Sequence, residues 1–184
     1  YNSFDELDSN VKYIYLNKDV EELHNNNLVV IGSNDSSIKN INVDNISTYN
    51  IKANNLNICN PQKIIILESS IIDNLIINNL ENDTIIEVNN CIINNLYIKS
   101  KNYQKNISIT FTLCTFNNCI DINLEEDFTA IEFVNNIYNV SNFSSNSNFI
   151  NIKDLISLDV QHLLYTGFKQ EYFENRVNKK DVNS

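Results

Sequence analysis

Ile72-Asp73-Asn74-Leu75-Ile76-Ile77 and, further along, Ile93-Asn94-Asn95-Leu96-Tyr97-Ile98 are one pattern written twice: apolar, x, Asn, apolar, x, apolar. The same frame recurs upstream as Ile38-Lys39-Asn40-Ile41-Asn42-Val43 and Ala53-Asn54-Asn55-Leu56-Asn57-Ile58. Looser copies follow downstream as Phe116-Asn117-Asn118-Cys119-Ile120-Asp121, Ile137-Tyr138-Asn139-Val140-Ser141-Asn142 and Ile152-Lys153-Asp154-Leu155-Ile156-Ser157. Successive copies begin 15, 19, 21, 23, 21 and 15 residues apart. A period near twenty is the mark of a chain that winds, each turn burying its apolar face on the next.

Before each central copy lies a second strand-like run: Ile64 to Leu67, Ile85 to Val88, Ile107 to Phe111 and Ala130 to Val134. Their alternation of period two places Ile65, Ile86 and Ile109 in one inward column and Leu67, Val88 and Phe111 in the next. β-Branched residues fill the runs and little between them favours a helix. The expected fold is therefore all-β, a right-handed parallel β-solenoid of about seven degenerate coils, with a β-sandwich as the competing architecture. The repeated Asn suits a corner, because Asn tolerates the left-handed region better than any residue but Gly. Stacked coil on coil, Asn40, Asn55, Asn74, Asn95, Asn118, Asn139 and Asp154 would also form a ladder of side-chain hydrogen bonds.

A solenoid has to hide its end coils, so the non-repeating ends read as caps. Residues 1–28 form the N-terminal cap: Ser3 with Glu6 looks like a capping box, Val11 to Leu16 like a strand and Asp19 to His24 like one helical turn. Residues 29–157 are the solenoid. Residues 158–184 read as a helical C-terminal cap and tail, with Asp159 as N-cap, a stop at Gly167 and an amphipathic stretch through Phe168, Tyr172, Phe173 and Val177. The chain is one domain overall, of 184 residues.

Composition narrows the function classes. The formal net charge is −10, and the only close basic group is Arg176, Lys179 and Lys180, so no nucleic-acid partner is expected. No apolar run is long enough for a membrane span, so no membrane insertion is expected. The four cysteines (Cys59, Cys91, Cys114, Cys119) fit either two disulfides in any of three connectivities or buried thiols in a reducing compartment. They lack the spacing of a zinc site, and His24 and His162 are remote from them and from any nucleophile, so neither a metal nor another cofactor is expected. Glu125, Glu126 and Asp127 read as a solvated connection, not as a carboxylate pair for glycan chemistry. The chain is accordingly expected to be no enzyme. Low charge content with abundant Asn and Ser leans toward a secreted or surface protein.

The abundance of Asn and Ile resembles that of proteins from AT-rich genomes, such as those of malaria parasites or low-GC bacteria. The stretch Asn90-Cys91-Ile92-Ile93-Asn94-Asn95-Leu96-Tyr97-Ile98-Lys99 resembles one coil of the β-helical repeat shared by the C-terminal domain of cyclase-associated protein and by tubulin cofactor C. That resemblance implies an actin-binding cytoskeletal regulator as one alternative, and a carbohydrate-binding or degenerate glycan-active β-helix is another. The leading expectation is a non-enzymatic protein-binding or scaffolding module with a protein partner. Its expected contact face is the outward position between the last two apolar residues of each motif, where Ile76, Tyr97 and Ile120 make the centre of the column apolar. In the same frame Cys91 and Cys114 are stacked neighbours, and Cys119 takes the inward place of Leu96.

Overall fold

The structure, a computed structural model, describes residues 2–5, 11–33, 36–61, 64–80, 83–100, 107–124, 129–146 and 150–152. Its strands are β1 (Asn2–Asp5), β2 (Lys12–Tyr15), β3 (Val20–Ile31), β4 (Ile38–Tyr49), β5 (Lys52–Cys59), β6 (Ile64–Glu68), β7 (Ile71–Asn78), β8 (Ile85–Asn89), β9 (Ile92–Ser100), β10 (Ile107–Thr112), β11 (Thr115–Leu124), β12 (Thr129–Val134), β13 (Ile137–Tyr138), β14 (Asn142–Ser145) and β15 (Ile150–Ile152). Every ladder is parallel except that of β1 with β2. The long strands β3 and β4 pair with each other along both halves; below β4 the ladders divide into β5-β7-β9-β11 and β6-β8-β10-β12. The result is a parallel β-solenoid of about five turns, with no helix among the described residues.

One coil shows why the sequence winds. In β7, Ile72, Leu75 and Ile77 are fully buried, while Asp73 and Asn74 are both only half-buried. Two successive outward residues break the alternation of a strand, so the chain turns a corner there without leaving its ladder. After Ile77 it loops to β8, where Ile86 and Val88 point inward, then turns at Asn90 and begins the next coil. The coil thus has three short faces: one around Ile72, one around Leu75 and Ile77, one around Ile86 and Val88. Each apolar side chain removed from water contributes roughly 1.5–3 kcal/mol, and because like stacks on like the core is one continuous column.

The first corner opens toward the C-terminal end. Two residues separate Ile93 from Leu96, three separate their partners Phe116 and Ile120, and four separate Tyr138 from Phe143 on the next coil. Aromatic side chains fill the wider section. Phe111 stacks on Phe133 at 5.1 Å and Phe116 on Tyr138 at 5.7 Å, with Phe143 edge-on to Phe133.

Several expectations change. Asp19 to His24 is not a helical turn: Val20 and Leu23 stand on Ile38 and Ile41 as an additional coil. Apolar residues three apart suit a helix face and a two-residue corner equally, and Glu21-Glu22 lacks the β-branching that would separate the two readings. Ser3 lies in β1 and caps no helix. The sixth motif is displaced by one residue, since Tyr138 and not Ile137 stands on Phe116. Ile152 pairs with Phe133 at the end of a third-face strand, and the rest of the expected seventh motif, residues 153–157, lies outside the described residues. The expected last rung of the ladder, Asp154, and the expected C-terminal cap, with Asp159, Phe168, Tyr172, Phe173 and Val177, lie outside the described residues.

The motif asparagines are not the left-handed corners. That conformation belongs to the residue two before the first-face strands β5, β7, β9, β11 and β13, at Asn50, Ser69, Asn90, Leu113 and Asn135 with φ between 50° and 58°, and to Asn60, Asn79 and Asp83 in the other connections.

Candidate functional site

The expected contact column is brought together only in part. Ile76 and Tyr97 are cross-strand neighbours and half-buried. Ile120 is not in that column: it stands on Leu96 and is fully buried, and Asp121 takes the place beside Tyr97. The cause is the widened corner of β11, where one extra residue pushes everything after it one place along. For the same reason Cys119 does not replace Leu96. It is half-buried, paired with Asn95, and its thiol donates to Tyr97 Oη at 3.7 Å. Pairing with the Cys119 sulfur, which accepts from the phenol once the thiol has ionised, pushes the Tyr97 phenol above its ordinary pKa, with burial and the Cys119 and Asp121 charges adding to it. Lys99 Nζ lies 5.6 Å from the centre of the same ring.

The asparagine ladder does form, and every link has the same sense. Asn118 donates its side-chain amide to Asn95 (2.6 Å), Asn95 to Asn74 (2.9 Å), Asn74 to Asn55 (2.8 Å) and Asn55 to Asn40 (2.8 Å). A second ladder runs beside it, from Asn139 to Asn117, Asn94 and finally the carboxylate of Asp73. Asn139, expected in the first ladder, is in the second because its coil carries the widest corner.

Along the second ladder lies a row that the sequence reading missed. Ile71, Ile92 and Ile137 share one outward column of the first face with Thr115, and they are 41%, 41% and 60% exposed. The signal was the doublets Ile71-Ile72 and Ile92-Ile93, in which one residue faces in and its twin must face out. At the corner beside Thr115 stands Leu113, 60% exposed at φ 56°, where other coils carry Asn or Ser. A leucine there costs roughly 1–2 kcal/mol of backbone strain. With four coils spaced as strands are, the row is about 14 Å long.

Behind it, one inward column reads Ile51, Ser70, Cys91, Cys114 and Asn136, each coil joined to the next by a backbone bond. Cys91 and Cys114 are stacked neighbours, as expected, and both are buried. Burial pushes the Cys91 thiol up to about 11 and that of Cys114 to about 12. The Asn136 side chain closes the column, accepting from Cys114 N at 2.7 Å and donating to Phe111 O at 3.0 Å.

Among the described residues no three His, Cys, Asp or Glu side chains gather as metal ligands, and no helix is long and apolar enough to cross a membrane. His24 lies on β3 beside Glu22, away from every cysteine in the chain order and in the stack. Arg176, His162 and Glu125 to Asp127 lie outside the described residues. Compared with protein families, curated proteins and solved structures, the chain matches none.

Proposed function

We propose that this chain is a non-enzymatic protein-binding or scaffolding module whose contact face is the row of Ile71, Ile92 and Ile137 with Leu113 at its corner. The observation that supports this reading is Leu113. It holds a backbone conformation that leucine disfavours, and its side chain is mostly in water. Neither the fold nor the core gains from it, since Asn50, Asn90 and Asn135 make the same corner without that cost. Strain kept where stability does not need it is a mark of a contact residue. The neighbouring isoleucines extend the contact along the axis, and the second ladder borders it with three amides that end on the Asp73 carboxylate, so the face fits a slender apolar segment of a protein partner.

The test compares proteins captured from the source organism by the wild-type chain, by Ile71→Asp/Ile92→Asp, and by Ile64→Asp/Ile85→Asp as a control on the third face. A partner held by wild type and control but lost from the first variant, at unchanged Tm, supports the proposal. Capture that is the same for all three overturns it.

A further inference from the structure

Four cysteines allow six pairings, and the register reduces them to one. Cys59 lies on β5, two coils from Cys91 and three from Cys114 and Cys119, which at strand spacing is about 10 Å and about 14 Å. Disulfides need Cα atoms within about 7 Å, so Cys59 has no reachable partner. Cys119 stands on Asn95, four residues beyond Cys91 and around the corner, with its sulfur turned outward to Tyr97. Cys114 is in the same coil as Cys119 but on the other side of that corner, pointing inward. Cys91 and Cys114 alone occupy one column on consecutive coils, linked by the bond from Thr115 N to Cys91 O at 2.9 Å. Stacked strands lie about 4.8 Å apart, inside the range a disulfide bridges.

The geometry points to Cys91–Cys114 as the single disulfide this fold can form, a redox-conditional lock between two consecutive coils. In the reduced form each thiol is satisfied: Cys91 Sγ donates to Asn89 O at 3.4 Å and Cys114 Sγ to Val88 O at 3.3 Å. Oxidation breaks the two S–H bonds and forms one Sγ–Sγ bond, and its two electrons and two protons reduce a small disulfide such as oxidised glutathione to two thiols. Because both sulfurs are buried, the bond forms as the coils close and, once formed, is shielded from reductant. It also fixes the coil spacing under Ile92 and Thr115, the residues that follow the two cysteines in the exposed row.

The experiment uses the full chain, refolded from the reduced denatured state with oxidised glutathione or with excess reductant. The expected product of oxidation is a monomer that has lost two hydrogens, yields a Cys91–Cys114 peptide on non-reducing digestion, and still alkylates at Cys59 and Cys119. Its Tm is expected to rise by about 5 °C over the reduced chain. The Cys59→Ser/Cys119→Ser variant is expected to form the same bridge, and Cys114→Ser none. Monomer whose bridge includes Cys59 or Cys119, or native monomer that stays fully reduced in both the wild type and the double variant, overturns the inference.

Discussion

Leu113 offers a substitution in which the backbone term can be isolated. Its φ of 56° lies in the left-handed region, and Asn50, Asn90 and Asn135 occupy the equivalent corner with φ of 58°, 53° and 55°. Leu113→Ala keeps the strain of an L-residue with a Cβ and removes the partly buried side chain. Leu113→Asn removes that same apolar side chain but supplies the residue type the corner favours. The lost apolar contact nearly cancels between the two variants, and the difference is the conformational term, about 1 kcal/mol in favour of Asn. In a chain of this size that separates their melting temperatures by roughly 2–4 °C. Urea unfolding followed by far-UV circular dichroism should show the same order in midpoint with equal m-values. Asn90→Ala, which introduces the strain at another coil, should lose a similar amount. If Leu113→Ala proves as stable as Leu113→Asn, the corner is not strained by leucine and Leu113 is no mark of a contact face.

Other perturbations test the register and the core. Ile120→Lys places a charge among fully buried residues and should cost at least 3 kcal/mol or prevent folding, whereas Asp121→Asn, one residue later and outward, should stay within about 0.5 kcal/mol of wild type by denaturant titration. Gly32→Ala should destabilise by more than about 2 kcal/mol, because a Cβ there would meet Asn50 O at 2.1 Å and backbone cannot swing aside; a variant with wild-type Tm would refute that close approach. Asn74→Ala breaks the bonds to Asn55 and from Asn95, so it should cost about 1–3 kcal/mol, and Asn118→Ala at the ladder's end should cost less; equal losses would show the links to be independent of position. Finally, the buried Cys91 and Cys114 thiols have pKa values raised from 9.0 to about 11 and about 12. The unfolded chain therefore releases these protons first, so the reduced protein should lose stability as pH rises from about 9 toward 12, and Cys91→Ala/Cys114→Ala should flatten that decline in a pH series of urea midpoints.

The winding and the third-face columns were legible because stacked coils repeat their inward residues: Ile65, Ile86 and Ile109 fall where period-two reading puts them. The ladder was legible for the same reason over Asn40 to Asn118. What failed on β11 and β13 was the assignment after an inserted residue. A corner can grow from two residues to three without disturbing the hydrogen bonds on either side, yet it shifts by one every later assignment on that strand, which moved Ile120 from the surface to the core. Doublets such as Ile71-Ile72 hid the exposed row, since hydrophobicity alone does not say which twin faces out. Leu113 stands out only once the register aligns it with Asn50, Ser69, Asn90 and Asn135, because its interest lies in a dihedral angle that leucine ordinarily argues against.

The common sense of the amide ladders makes the stack behave as a row of dominoes. Each asparagine offers its N–H toward the earlier coil and its oxygen toward the later one, and the second row ends on the Asp73 carboxylate, a group that can only accept. One amide turned the other way would face oxygen to oxygen on one side and nitrogen to nitrogen on the other, losing two bonds at once. A reversal in the interior is therefore more costly than one at the last rung, where only a single bond is at stake. Orientation is thus decided once for a whole row, and disorder has its natural entry at the row's ends.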